Sequence, residues 1–455
     1  MRFWTKCVQL ITYLLLSFVA LTFVLFMHQS LRQFKKEKVS LDAENQATDL
    51  EQKLSQLEGM IQIERRELEK LNRKIGIKAN KYQRNGSPSG QTVWKRPIAV
   101  LVFLKELLNL KTNPSISLFC YRRDRKELFP IIVSQDCDND SLQRMIRNEF
   151  GNEVQHIKHS SSESEHLKPL REHRQFGTYY KIARHYKLGL AHLFDKLNFT
   201  SVIITEDDLD IAPDFFDFFL ATRPLLESDR SLFCVSAWND NGKKGLVDLS
   251  FGASLLFRSD FFSGLGWMMT KDFWDELRPK WPRAFWDDFL REPEQRKNRS
   301  CIRPEISRTA MTEFGRIGAS KGLFFNRHLR RVFLNRMPVN FTRIDLSGFI
   351  RSEYDASFLE RVYSAQKVQM ENILEWSKNS GDCRIEYESM DEFVSIALRV
   401  GVMADSKAGV PRTAYRGVVT CFLNCTRLFI APPKNGWNGY DRKWEAPRKV
   451  LDGMA

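Results

Sequence analysis

Three consecutive carboxylates, Glu206-Asp207-Asp208, follow directly on the apolar run Ser201-Val202-Ile203-Ile204-Thr205. A run of this kind reads as a strand, and a strand that ends in carboxylates sets hard oxygen ligands at the edge of an α/β sheet. Such ligands suit a divalent cation carrying a diphosphate, because Mg²⁺ or Mn²⁺ takes one or two protein carboxylates together with phosphate oxygens. Two plainer readings compete: a charged turn, or acidic residues starting the helix that Ala212-Pro213-Asp214 opens.

The elements around this motif alternate. Short apolar runs at Ile98 to Phe103, Pro130 to Val133, Val202 to Thr205 and Leu232 to Ser236 are separated by helix-like stretches. Strands alternating with helices give βαβ units and a mostly parallel sheet, whose ligands bind at the carboxyl ends of the strands. Val133-Ser134-Gln135-Asp136, Thr205 to Asp208 and Val235 to Asp240 are polar exits from such strands, and their convergence on one edge describes a nucleotide-diphosphate site. No GxGxxG or Walker sequence is present, so neither a dinucleotide nor a P-loop is implied.

The 455 residues hold one large domain or two ordinary ones. Val8 to Met27 carries no charge and is long enough to cross a bilayer, so residues 8–27 read as a retained signal-anchor behind a short tail, 1–7. Arg32, Lys35, Lys36 and Lys38 after the span weigh weakly against a lumenal C-terminal part, whereas sequons at Asn85, Asn139, Asn198, Asn298, Asn340 and Asn424 weigh for it. Residues 28–95 read as a stem. Leu50, Leu54, Leu57, Ile61, Leu68, Leu71 and Ile75 form a heptad seam that fits either a coiled coil over 41–78 or a single solvated helix, and 79–95 is a linker. The folded domain is expected over 96–455. The net charge of +14 is spread along the chain without an aromatic-interleaved basic stripe, which argues against nucleic acid. Of eight cysteines, none forms a zinc-type pattern.

Glu206 to Phe216, Ser236 to Lys243, Phe261 to Trp267, Lys280 to Asp288 and Cys301 to Thr309 together resemble, in order, blocks of the Golgi N-acetylglucosaminyltransferase I family, and the similarity runs from about residue 128 to 440. The resemblance implies a GT-A-type glycosyltransferase with a mostly parallel Rossmann-like sheet, on a single-pass type II anchor and helical stem in the Golgi membrane, its catalytic part lumenal. It implies transfer of GlcNAc from UDP-GlcNAc, in β-1,2 linkage and with inversion, to an α-1,3-linked mannose of N-glycans. By the same resemblance Asp208 ligates Mn²⁺, and Glu206 and Asp207 contact the sugar and ribose. Asp136 and His185 lie near the uridine, and Leu265 and Trp286 line the substrate site. Ser320 reaches the phosphates from a mobile loop over Gly315 to Gly322, Asp287 is the general base, and Cys234 pairs with Cys301.

Physical chemistry supports these roles. A metal neutralises the diphosphate leaving group, and an aspartate accepting the proton of an incoming hydroxyl contributes about 10²–10⁴ in rate. Phe285-Trp286 offers apolar surface that could raise a neighbouring carboxyl pKa and stack on a sugar face. Asp287 and Asp288 otherwise read as a helix start after Pro282. Gly264 and Gly266 mark a close backbone approach to a ligand, or a plain turn. His185 alone would be a packed or an exposed histidine.

One segment departs from the family. Ala99 to Phe103 runs straight into the helix-like Leu104 to Leu110, without the polar turn that would reach a uracil, and Lys111 to Lys126 matches nothing expected. A lineage variant or a misassigned exon boundary would each produce this, and weakened uridine binding is expected. Transfer to O-mannosyl glycans and an impaired homologue serving as a binding partner through the stem, a route to a homo-oligomer, are the alternatives.

Overall fold

The computed structural model describes residues 96–104, 115–159, 169, 171–376 and 381–436. The tail, the anchor, the stem with its seam, the linker and the helix-like stretch after Leu104 lie outside the described residues. Within them, no helix is long and apolar enough to cross a membrane.

The main sheet uses β1 (Ala99–Leu104), β2 (Ile131–Gln135), β3 (Val154–Lys158), β4 (Ser201–Glu206), β6 (Leu232–Ser236), β7 (Leu256–Ser259), β8 (Trp267–Thr270) and β9 (Ser300–Pro304), in the order β3-β2-β1-β4-β8-β6-β9-β7. The short β5 (Leu209–Ile211) and β10 (Thr309–Met311) pair separately. The β1, β2, β3 and β4 pairings are parallel, as is β6 with β9. β8 runs antiparallel to both β4 and β6, so those two strands point the same way and leave at the same edge. The expected mostly parallel α/β sheet is therefore present, with β8 reversed at its centre and β7 reversed at one edge, neither of them read as a strand in the sequence. Ile204 pairs with Trp267 on one side of β8, and Ser236 pairs with Trp267 on the other.

Both faces of the sheet are covered, which is why its strands read as unbroken apolar runs. Val100, Val102 and Leu104 of β1 face Phe215, Phe216 and Phe219, whereas Ala99, Leu101 and Phe103 face Ala183, Tyr186 and Leu190. The segment that matched nothing forms helix α1 (Ser115–Arg122), and Leu104, expected to be helical, ends β1. Leu118 of α1 is buried, Phe119 stacks on Phe150 at 4.9 Å, and the buried Arg122 pairs with Glu153. Helix α2 (Asp140–Phe150), capped by Asn139 accepting from the Leu142 amide at 3.0 Å, lies beside it. Together they roof β1 and β2, leaving an apolar cavity of about 20 Å³ between Val102, Leu104, Leu118 and Ile131. Helices α3 (Gly177–Ala191), α4 (Phe215–Ser228), α5 (Lys271–Leu277) and α6 (Trp286–Arg291) complete this part.

A second sheet follows, β11-β12-β16-β15, from β11 (Gln366–Lys367), β12 (Gly381–Glu386), β15 (Val419–Leu423) and β16 (Thr426–Ala431). Helix α7 (Arg351–Ser364) leads into it, and α8 (Met390–Val400), capped by Ser389, buries Phe393, Ile396 and Ala397 in its core. A small hairpin, β13 (Ser406–Lys407) with β14 (Val410–Pro411), turns through Ala408 and Gly409, both at positive φ (48° and 76°), the mirror-image turn that suits a two-residue hairpin.

Candidate active site

The carboxylate motif sits at the end of β4 and is pinned on both sides. The Asp207 amide donates to the Phe103 carbonyl at 3.1 Å, and Thr312 donates through both its amide and its hydroxyl to the Asp208 carbonyl at 2.9 Å. Asp207 and Asp208 form the turn between β4 and β5, as the charged-turn reading has it, but at 2% and 6% exposed that turn is buried. They do not start the helix: Asp214 precedes α4, and its carboxylate is spent on the buried Arg308 at 2.9 Å. The Tyr186 hydroxyl donates to Glu206 Oε1 at 2.8 Å, with its ring stacked on Phe103 and on Trp286, each at 4.1 Å. Burial first, then the charge of Glu206 with Asp208 and Asp287 nearby, pushes that hydroxyl far above its ordinary range, so it stays a neutral donor.

Among the described residues no group of three or more His, Cys, Asp and Glu forms a protein-only metal site. A hard cation shared with phosphate oxygens needs only one or two carboxylates, and the all-oxygen donors of Asp207 and Asp208 fit that demand.

Asp136 follows β2 and pairs with Arg184; burial pushes its carboxyl up although Arg184 opposes the shift. His185 is 9% exposed, and its Nε2 lies 2.9 Å from Ser134 Oγ, which is equally close to His159 Nε2. Burial, followed by Arg184, pushes His159 down to about 4. The packed alternative for His185 thus holds in the structure; its partner Ser134 lies in the polar exit read from the sequence, whereas His159 and Arg184 went unread. Because α3 carries both His185 and Tyr186, one helix joins the β2 exit to the carboxylates.

Asp287 and Asp288 occupy the first turn of α6, as the helix-start reading has it, after Phe285 in a left-handed conformation (φ 52°). Both accept from Arg291 Nη1, at 2.8 and 2.7 Å, and Asp288 also meets Lys407 Nζ at 3.2 Å. The apolar neighbours were expected to raise a carboxyl pKa; burial does push Asp288 up, but Arg291 and Lys407 outweigh it and hold it below its ordinary value. Trp286 was expected to offer a face to a sugar, but it is 6% exposed, stacked on Tyr186 and lying near Trp267 and Trp281. It belongs to the core that supports the site. The i, i+3 and i, i+4 spacing of Asp288 and Asp287 to Arg291 was a readable signal for that ion pair. Nothing local pointed to Lys407.

Gly264 and Gly266 each make a close approach to protein side chains. A Cβ on Gly266, at φ 81°, would stand 2.5 Å from Thr309 Cγ2, and one on Gly264 would stand 2.9 Å from the Phe262 ring. Leu265 between them is half-buried, and its carbonyl accepts from Thr309 Oγ1 at 2.6 Å. Ser320 lies on a turn between the short helices Glu313–Ile317 and Leu323–Arg327, its carbonyl accepting from the Leu323 amide at 3.1 Å. Thr312, at the root of that segment, is the residue that bonds the Asp208 carbonyl. Ile317, Leu323 and Phe324 on the same segment are exposed. Cys234 and Cys301, facing each other on β6 and β9, form a disulfide. At the β6 exit, Asp240 accepts from Ser263 and from Arg412 Nη1, the latter at 2.8 Å.

The GNT-I family matches residues 9–444. The chain is similar to an alpha-1,3-mannosyl-glycoprotein 2-beta-N-acetylglucosaminyltransferase of Arabidopsis thaliana, 40% identical over 321 residues, which is 70% of each protein. Among solved structures it has a distant likeness to the mannosyltransferase PcManGT from Pyrobaculum calidifontis, solved with GDP-Man and Mn²⁺ (12% identity, TM-score 0.29, 50% of this chain and 63% of that one). A second is glucosyl-3-phosphoglycerate synthase from Mycobacterium tuberculosis, solved with Mg²⁺ and UDP (12% identity, TM-score 0.29, 50% and 77%). The two solved structures are too distant to say more, but the family match spans nearly all of the sequence, and the chain belongs to the GNT-I family.

Proposed function

We propose that this chain transfers GlcNAc from UDP-GlcNAc, in β-1,2 linkage and with inversion, to the α-1,3-linked mannose of an N-glycan, on a GT-A-type donor sheet and in the Golgi lumen. The observation that carries the proposal is the gathering of Glu206, Asp208 and Asp287 around the buried phenol of Tyr186, which donates to Glu206. Family membership supports the donor and the acceptor. Asp208, with Asp207 beside it, would hold Mn²⁺ against the diphosphate, and the cation would neutralise the leaving group. Tyr186 fixes Glu206 in one orientation, toward the sugar and ribose. Asp136 and His185 receive the uridine at the β2 exit. Asp287, with its side chain 40% exposed, is open to an incoming mannose hydroxyl and accepts its proton.

The test is transfer to a Man5 N-glycan by the purified full chain, with Mn²⁺, with chelator, and in Asp208→Ala and Asp287→Asn variants. Metal-dependent transfer that Asp287→Asn lowers by about 10²-fold or more is expected. A folded protein that binds UDP-GlcNAc without turnover would instead favour an impaired homologue.

A further inference from the structure

Asp287 and Asp288 are adjacent in one helical turn and share one guanidinium nitrogen of Arg291. Two carboxylates so placed compete for any proton that arrives, and the roles stay divided only if their surroundings differ. Here they differ by one cation. Asp288 accepts from Arg291 through Oδ1 and from Lys407 through Oδ2 at 3.2 Å, whereas Asp287 is paired with Arg291.

Both cations are held by protein contacts. Arg291 Nε donates to the Phe262 carbonyl at 3.0 Å, and its guanidinium lies 4.9 Å over the Phe261 ring. Lys407 sits on the β13–β14 hairpin beside the second sheet. That hairpin is anchored by Arg412, which reaches Asp405 and Asp240 at 2.8 Å each and also covers Phe261 at 4.9 Å. Among the described residues, Tyr179 and Tyr186 on α3 also feel the charge of these carboxylates. Burial, then the charges of Asp287 and Asp288, pushes the Tyr179 hydroxyl up, so both phenols are neutral at working pH.

We infer that Lys407 is a positioning residue that assigns the proton-accepting role to Asp287 by holding Asp288 as a lasting anion. The inference rests on the proposed role of Asp287 as base. In that reaction the acceptor O–H bond breaks, its proton passes to an Asp287 oxygen, the acceptor oxygen bonds the anomeric carbon, and the bond to UDP breaks with its electron pair leaving on the phosphate. Lys407 takes no part in these bonds. It makes Asp288 the poorer base of the two, from an element that packs against the site from outside the donor sheet.

The experiment measures kcat and both KM values against pH for the full chain and its Lys407→Met, Lys407→Arg and Asp287→Asn variants. Losing a cation makes both carboxylates easier to protonate, and a protonated base is inactive. Lys407→Met should therefore move the acidic limb of kcat to higher pH by about 0.5–1 unit, with the KM for UDP-GlcNAc unchanged. Lys407→Arg should restore the limb. An unmoved limb in Lys407→Met overturns the inference, whatever happens to kcat, because a merely structural loss lowers the rate at every pH. A limb that Lys407→Arg fails to restore overturns it too. If Asp287→Asn stays active, the base assignment itself falls and the inference falls with it. If Asp287→Asn is inactive and the limb is unmoved, only the role of Lys407 is lost.

Discussion

Replacing Tyr186 by Phe removes one oxygen and leaves the ring in its stack, so the packing against Phe103 and Trp286 at 4.1 Å survives. What is lost is the bond to Glu206 Oε1 at 2.8 Å. A hydrogen bond to a charged group is worth about 1.5–3 kcal/mol net. Glu206 is half-buried, so water can meet part of its demand and the lower end, about 1.5 kcal/mol, applies. That is about tenfold in an equilibrium constant. If Glu206 is aimed at the donor, the loss appears as a KM for UDP-GlcNAc raised about tenfold, with kcat less affected. The effect should be independent of pH, because burial and the Glu206 charge keep the hydroxyl protonated throughout the assay range. Initial rates at saturating acceptor with varied UDP-GlcNAc measure this, beside a thermal melt. An unchanged KM together with an unchanged Tm would refute the claim that the phenol orients Glu206. A loss that grows with pH would show that the hydroxyl titrates.

Two further predictions concern stability. Arg308→Met should cost about 3–5 kcal/mol by leaving Asp214 as a buried anion with only Asn335 and the Val339 amide beside it, and chemical denaturation would read the loss; a cost below about 1 kcal/mol would mean the pair is not desolvated. His159 has a folded pKa of about 4 against 6.5 for a free side chain, so the unfolded chain binds more protons between those values. Its stabilising contribution is present above pH 6.5 and is lost as pH falls toward 4. Since the ring is partly exposed, screening limits the loss to about 1–2 kcal/mol. His159→Gln should flatten that slope in denaturation curves taken across the window, and an unaltered slope would remove His159 as its source.

The strands that carry the motif were legible because a sheet covered on both faces needs unbroken apolar runs, and Ala99 to Phe103 and Ser201 to Thr205 are such runs. The carboxylate cluster was legible because polar residues leaving such strands have to emerge at one edge. What supports the cluster was not. Lys407 and Arg412 come from a hairpin more than a hundred residues beyond Asp288 and Asp240, and long-range ion pairs leave no local periodicity. Tyr186 drew no reading from the sequence, since its partner Glu206 lies on another element. Trp286 was assigned to the ligand when tertiary stacking claims its ring. The glycines beside Leu265 signalled a close approach correctly, but the approaching atoms are those of Phe262 and Thr309. Helix α1 showed no strong pattern because its partners, Glu153 and Phe150, lie on later elements.

The reversal of β8 has a consequence for how the site can vary. In an all-parallel sheet only strand ends reach the ligand edge, and strand beginnings lie on the far side. β8 brings its beginning, Trp267, level with the last residues of β4 and β6, since Trp267 is in register with both Ile204 and Ser236. The 263–266 segment is thereby delivered to the edge that carries the carboxylates by a hydrogen-bonded ladder. A slip of one residue would carry it about 3.3 Å along the strand and turn Trp267 out of the core. The floor beside the carboxylates is therefore graduated in whole residues: it tolerates exchange of side chains, but an insertion or deletion there would shift it by a full step or not at all.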